Sequence, residues 1–389
     1  MRGRADDQPP LFHSFNVEDR IRADHPLRDV KRRADRLLAG MSRMFTGAYS
    51  RIGRPSVPPE RLLKALLLRA LYSIRSERQL CEQIDVNLMF RWFLDLQPSE
   101  DAFDATTFTH NRQRLDDHGL TRAFFDAVVA EALTAGLCSE HFSVDGTLIE
   151  SHASAKSFQP KPSDSPKDPP DGGTPTAGDA KGFKPRNAEV DFHGQKRTNQ
   201  THASTTDPEA RLYKKGMGQE AKLAHLGHVL SENRNGLILG VAATEANGTA
   251  ERAAALTMVD GLKARHRRTP KTLGMDKGYD GGEFFREVES RGIEPHVPLG
   301  KAPRAPATVV SDKLRPGVEA RQRMKVRMGT EGYRLSQKCR KKVEECFGWL
   351  KTIAGLDRCS TVGRWKLRQM LEVGAAAFNL VRLRTLKPA

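Results

Sequence analysis

From residue 24 to about 138, apolar residues recur at spacings of three and four; from His141 they alternate every second position. The first pattern predicts helices and the second strands. Pro58-Pro59-Glu60 marks a helix start, because proline suits a first turn whose N–H groups lack partners. Leu62 to Ile74 is apolar almost all round, which predicts a buried core helix. Asn87–Leu96, Thr106–Leu115 and Leu120–Leu137 predict further helices, with Thr106 as an N-cap. Phe142, Val144 and Leu148 then alternate with Ser143, Asp145 and Thr147, the period of a half-buried strand.

Residues 155 to about 186 are rich in Pro, Gly, Ser and Lys and poor in large apolar side chains, which predicts a flexible, disordered insertion. Strand character returns at Ala221–Leu230 and Leu237–Thr244, joined by the turn Asn233-Arg234-Asn235-Gly236. An amphipathic helix over Thr249–Arg265 follows. A strand at Thr272–Met275, a helix at Gly282–Arg291 and an extended piece at Pro295–Pro298 come next. Val343, Phe347, Leu350 and Ala354 form the apolar stripe of another helix, and a last helix runs from about Arg364 to Leu383. Three strands, helix, strand, helix, strand and helix make a mixed α/β layer architecture. The expected organisation is an all-α N-terminal domain over 1–138, an α/β domain over 139–356 with a mostly irregular insertion at 155–219, and a C-terminal helical segment over 357–389.

Charge narrows the partners. The 389 residues hold 64 Lys and Arg against 48 Asp and Glu, a formal net charge of +16. Such an excess favours polyanions, nucleic acid foremost. The N-terminal helices are rich in arginine, including Arg61, Arg69, Arg75 and Arg78; a DNA-binding module and a plain helical bundle both fit that pattern. Cys81, Cys138, Cys339, Cys346 and Cys359 are scattered with no C-x-x-C pair, which argues against a zinc ribbon or a disulfide framework and suits a reducing compartment. Met1 to Pro10 is charged and lacks the apolar run of a secretory signal. The most apolar run, Ala65 to Ile74, is short and holds Arg69, so no membrane span is expected.

Three carboxylates are candidates for chemistry. Asp145 lies mid-strand on the polar face, and Asp276 lies at the end of another strand, where sites gather in α/β sheets. Gly274, on the same strand face as Asp276, is expected to leave room beside its carboxylate. Glu344 is four residues after Arg340 and seven before Lys351, so at about 100° per residue all three share one helical stripe. The plain alternative is a surface Arg340–Glu344 ion pair, worth a few tenths of a kcal/mol. Converging carboxylates would bind Mg²⁺ or Mn²⁺ through hard oxygen ligands. Two such ions would activate a water or a 3′-hydroxyl and stabilise the leaving oxygen. Arg340, Lys351 and Lys277 are the candidates for holding backbone phosphates. Histidines offer less: His225 and His228 fall on opposite faces of a strand, and His193 and His202 lie in the insertion. Gly216-Met217-Gly218 is too short for a phosphate loop, and Ser143 and Ser151 lack a nucleophile-elbow context.

Over roughly residues 55 to 355 the chain resembles a DDE transposase of bacterial insertion sequences, close to the IS-five group. The resemblance rests on Phe142-Ser143-Val144-Asp145-Gly146-Thr147, on the stretch from Asn199 through Asp207-Pro208-Glu209-Ala210, on Met275-Asp276-Lys277-Gly278-Tyr279-Asp280, and on Val343 through Lys351. It implies a ribonuclease H-like catalytic core with Asp145, Asp276 and Glu344 as a metal-binding triad. It also implies Mg²⁺-dependent cleavage at transposon ends, followed by 3′-hydroxyl attack on target DNA. Double-stranded DNA as partner, a homo-oligomer that joins two ends, and a bacterial cytoplasmic, nucleoid-associated location are implied as well. The family signature is Tyr, two residues, Arg, three residues, Glu, six residues, Lys. Arg340, Glu344 and Lys351 match it, but Gln337 stands at the tyrosine position and Tyr333 is four residues away. Arg323 through Thr330 also departs from the family pattern.

Glu345 competes with Glu344 but lies about 100° further from the apolar stripe. Two other functions remain open at this point: a stand-alone ribonuclease H-like nuclease, and a catalytically impaired DNA-binding remnant that acts as a repressor.

Overall fold

The computed structural model describes residues 16–50, 52–53, 55–161, 190–192, 195–214, 220–303 and 314–386. The helical half comprises α1 (Val17–Arg20), α2 (Pro26–Gly40), α3 (Ser42–Ala48), α4 (Pro59–Leu71), α5 (Glu77–Val86), α6 (Leu88–Phe93), α7 (Ala105–Asp117) and α8 (Leu120–Thr134). The side chains of Asn16, Ser76, Asn87 and Asp104 cap α1, α5, α6 and α7 by accepting first-turn N–H bonds. Asp104, not Thr106, therefore starts α7: its carboxylate accepts from Thr106 N at 2.6 Å. A charged acceptor also suits the positive end of a helix. In α4 the apolar run buries even Lys64, whose Nζ reaches Asp35 at 2.7 Å and Asp95 at 2.5 Å.

The second half comprises β1 (His141–Glu150), β2 (Phe158–Pro160), β3 (Val190–Phe192), β4 (Gln195–Arg197), β5 (His202–Ser204), β6 (Arg211–Tyr213), β7 (Lys222–Glu232), β8 (Ile238–Glu245), α9 (Ala250–His266), β9 (Thr272–Gly274), α10 (Gly282–Ser290), β10 (Glu294–His296), α11 (Arg315–Arg327), α12 (Glu331–Arg340), α13 (Lys342–Thr352) and α14 (Arg364–Thr385). Single 3₁₀ turns lie at Ala155–Ser157 and Lys277–Tyr279. The main sheet has the order β10-β9-β1-β7, with β8 and β6 on the far edge of β7. β1, β7 and β8 form an antiparallel meander, whereas β9 and β10 join β1 in parallel. Helices α9 and α10 make the crossovers that parallel strands require. This mixed sheet flanked by helices is the ribonuclease H-like α/β core that the sequence led us to expect.

The β7–β8 turn owes its shape to a buried carboxylate. Glu232 Oε1 accepts from Asn235 N at 2.6 Å and Leu237 N at 3.1 Å, and Gly236 takes the left-handed φ of +69°. One apolar core runs from α2 through the sheet to α14. The changes of pattern near 138 and 357 thus fall within a continuous core. Asn379 of α14 is fully buried and exchanges two hydrogen bonds with Ile238, of 2.9 and 2.7 Å, tying the last helix to the start of β8.

Of the stretch 155–219, expected to be mostly irregular, residues 162–189, 193–194 and 215–219 lie outside the described residues. Elsewhere β2 pairs with β5, β3 with β4, and β6 extends the main sheet. A buried polar cluster anchors this stretch: Asp207 Oδ2 accepts from Ser151 Oγ at 2.8 Å and lies 2.9 Å from His225 Nε2. His228, on the other face of β7, places Nε2 2.7 Å from Thr244 Oγ1. No helix among the described residues is long and apolar enough to cross a membrane.

Candidate active site

Parallel pairing brings the two aspartates together. Ser143 of β1 is in register with Gly274 of β9. Asp145 and Asp276 each lie two residues beyond that pair, and the Asp276 charge acts on the Asp145 carboxyl. Asp276 lies just past the strand end, where its Oδ1 accepts from Gly278 N at 2.8 Å and caps the 3₁₀ turn. Asp145 Oδ1 accepts from Gly146 N at 2.8 Å. Burial lifts the Asp145 carboxyl to about 6, with the charges of Asp276 and Glu344 adding to the rise and Arg340 opposing it. Like charges therefore converge on Asp145 from both other candidate carboxylates.

The helix expected to run unbroken through Arg340 and Glu344 is two helices. α12 ends at Arg340, Lys341 forms a turn, and α13 begins at Lys342. Arg340, the last residue of α12, reaches into the sheet. Its Nη1 lies 3.3 Å from Asp145 Oδ2, with both side chains about four-fifths buried (19% and 20% exposed). Glu344 and Lys351 remain two turns apart on α13 itself, Glu344 exposed and Lys351 half-buried. Val343, Cys346, Phe347 and Leu350 bury the opposite face. Glu345, also exposed, is held by Arg382 of α14 at 2.8 Å. Lys277 is exposed at the 3₁₀ turn, with its Cε 3.0 Å from where a Cβ at Gly300 would stand.

Gln337 has a defined place. Its Nε2 donates to His296 O at 2.7 Å and Met275 O at 3.3 Å, so it pins α12 to the ends of β10 and β9, next to Asp276. Gly274 has a different purpose from the one expected. A Cβ there would stand 3.0 Å from Ser336 Oγ and 3.1 Å from Ser143 Oγ, so the glycine admits α12, not the Asp276 carboxylate. The second aspartate of the Asp276–Asp280 stretch is structural: Asp280 accepts a two-pronged pair of bonds from Arg321 at 2.9 and 2.8 Å. Arg323 and Arg327 both bind Glu289, at 2.6 Å each, which joins α11 to α10 and draws on much of the charge in the departing segment.

Sequence reasoning missed two neighbours of the aspartates. Tyr279 is fully buried, and its hydroxyl has no hydrogen-bond partner. Burial, then the charges of Glu251, Asp145 and Asp276, push its phenol well above the usual range. Glu251, in the first turn of α9, stands close to both aspartate-bearing segments. The signal available was its position directly after a strand and a turn. Among the described residues, no group of three or more His, Cys, Asp or Glu side chains is placed to hold a metal ion. The donor chemistry is nonetheless of the kind a hard divalent cation takes: the carboxylates of Asp145 and Asp276, the first with its proton affinity raised by burial and then by like charge.

Known families account for most of the chain. Residues 15–114 match the family described as "Transposase domain (DUF772)". Residues 137–380 match "Transposase DDE domain". No curated protein matches the chain. Two solved structures align over most of it. "Mos1 transposase paired-end complex with left transposon end" is 11% identical, with 79% of this chain and 81% of that one covered and a TM-score of 0.21. "Crystal structure of a pre-cleavage Mos1 transpososome" is 13% identical, with 87% and 82% covered and a TM-score of 0.20. Likeness at those scores carries no weight. The family match covers well over half of the residues, and with it the chain belongs to the DDE-domain transposases, enzymes of the polynucleotidyl transferase and endonuclease class.

Proposed function

We propose that this transposase cuts DNA at the ends of a bacterial insertion sequence of the IS-five-like group and joins the freed 3′-hydroxyl to target DNA. Asp145, Asp276 and Glu344 are its catalytic carboxylates. One observation supports the reading: Ser143 pairs in parallel with Gly274, two residues before each aspartate, and Arg340 of α12 reaches the Asp145 carboxylate.

Asp145, Asp276 and Glu344 would hold Mg²⁺ or Mn²⁺, which when bound polarises the scissile phosphate and activates the attacking water or hydroxyl. Arg340 keeps Asp145 oriented and offsets part of the repulsion among the carboxylates. Lys351 and Lys277, with Arg340, contact backbone phosphates and set the position of the strand without reading its sequence. Residues 1–138 form the helical DNA-binding domain, 139–356 the catalytic domain and 357–389 a C-terminal segment. Two ends must be brought together, so the working species is a homo-oligomer on DNA, in the bacterial cytoplasm and nucleoid.

The test is incubation of the full chain with Mg²⁺ and DNA bearing paired terminal repeats. Joined strand-transfer products are expected. Hydrolysis products alone would point to a plain nuclease, and end binding without cleavage in Mn²⁺ would point to a repressor.

A further inference from the structure

A cavity of about 20 Å³ lies where α4, α7 and α14 meet, at the joint between the helical half and the last helix. That is room for one guest of about the size of a water molecule. Its polar side chains are Arg69, Arg112 and Gln369, and the rest of the lining is apolar, Leu66, Ala70 and Val373 included. No acidic side chain lines it. Gln369 is 2% exposed and is held in place by donating from Nε2 to Arg112 O at 3.0 Å. An amide nitrogen carries two N–H donors, so one is left for a guest.

The two arginines are withdrawn from solvent, Arg69 7% and Arg112 6% exposed, and they converge on one carboxylate. Arg112 Nη2 is in contact with Glu77 Oε1, and Arg69 Nη1 lies 3.9 Å from the same oxygen. The other bonds of Arg69 go to neutral acceptors. Its Nη2 donates to Ser360 Oγ at 2.6 Å and to Arg75 O at 3.1 Å, and its Nε to Ile74 O at 3.3 Å. Two buried cations therefore share one formal negative charge. Burial, then the charge of Arg69, brings the Arg112 guanidinium down to about 10. Buried charge is costly unless it is paired, and a second cation against a single carboxylate is only half compensated.

We propose that this cavity binds one small inorganic monoanion of the size of chloride, held by Arg69, Arg112 and the Gln369 amide. The anion supplies the missing counter-charge where no acidic side chain reaches. Arg69 and Arg112 belong to the stretch that matches the first transposase family, and Gln369 to the stretch that matches the second. The bound anion thus fastens the helical half to α14, remote from the carboxylates of the candidate active site and independent of their reading.

The experiment melts the DNA-free, full-length protein in sodium chloride and in sodium gluconate at equal ionic strength, with the chloride NMR line width as a direct reading of bound ion. Gluconate is too large for the cavity, so it reports only the screening that any salt gives a chain of net charge +16. Chloride should raise the melting temperature above that in gluconate by about 2 °C. Arg112→Gln leaves one cation against one carboxylate and should remove both that difference and the broadening of the chloride signal. Glu77→Gln leaves two cations with no counter-charge and should enlarge both. Ala70→Val keeps the two guanidiniums but fills the cavity. It should lose the chloride effect as Arg112→Gln does, and it decides the matter if Arg112→Gln fails to fold. Equal melting temperatures for the wild type in the two salts overturn the proposal. So does a chloride effect that survives in Ala70→Val.

Discussion

Arg340 Nη1 lies 3.3 Å from Asp145 Oδ2, so the last residue of α12 is joined to the middle of β1 across 195 residues of chain. The pair is largely withdrawn from solvent, where a charge-assisted bond counts for more than at a surface. Arg340 lowers the proton affinity of a carboxyl that burial and like charge have raised.

Removing that cation should move the acid limb of catalysis. Asp145 must be ionised to serve as a ligand, and it titrates at about 6 with Arg340 present. Arg340→Ala therefore shifts the acid limb of the Mg²⁺-dependent cleavage profile to higher pH, and Arg340→Lys restores part of the shift. A profile whose acid limb stays in place would show that Arg340 acts on DNA alone.

The same carboxyl makes stability depend on pH. Its folded value of about 6 is above its ordinary 3.8, so folding favours the protonated form. The contribution is fully present below pH 4 and is lost as pH rises towards 6 and beyond. In EDTA, Asp145→Asn should stabilise the fold at pH 8 by up to about 2–3 kcal/mol and by almost nothing below pH 4. Thermal melts at the two pH values check this, and saturating Mg²⁺ should stabilise the wild type but not the variant.

Gln337 should matter for stability where the family signature has a tyrosine. Gln337→Leu strips the donor from His296 O and Met275 O at the strand ends. The expected cost is about 1–2 kcal/mol in chemical denaturation, with a drop in cleavage because the Asp276 turn loosens. Wild-type stability in that variant would mean that the two bonds contribute nothing.

The net charge of +16 should appear in DNA binding. Each phosphate contact releases condensed counterions, so log affinity falls against log salt with a slope of about −0.9 per contact. Lys351→Ala and Lys277→Ala should each flatten that slope by about one contact without changing sequence preference. Identical slopes would remove these lysines from the interface.

Much of this was legible in the sequence, because regular elements leave periodic traces. Alternation around Val144 located β1, the Asn235-Gly236 pair located the hairpin, and the stripe of Val343, Phe347 and Leu350 located α13. What stayed hidden depends on partners far along the chain. The short strands β2, β5 and β6 are too brief to show a period, and Asp207, Ser151 and His225 hold them through tertiary bonds. The break at Lys341 carries no proline or glycine, so Arg340 and Glu344 looked like neighbours on one helix. Glu345 seemed merely solvent-facing until Arg382 arrived from α14. Gly274 could be understood only once Ser336 was seen beside it.

The most direct measurement is Mn²⁺-dependent cleavage of a transposon-end DNA by four full-length variants, each first confirmed to fold and to bind that DNA. Asp145→Asn, Asp276→Asn and Glu344→Gln should each lose cleavage by at least about a thousandfold while keeping end affinity. Glu345→Gln, which only breaks the bond to Arg382, should cleave within a few-fold of wild type. Cleavage that survives in Glu344→Gln and disappears in Glu345→Gln would contradict the assignment of the third carboxylate.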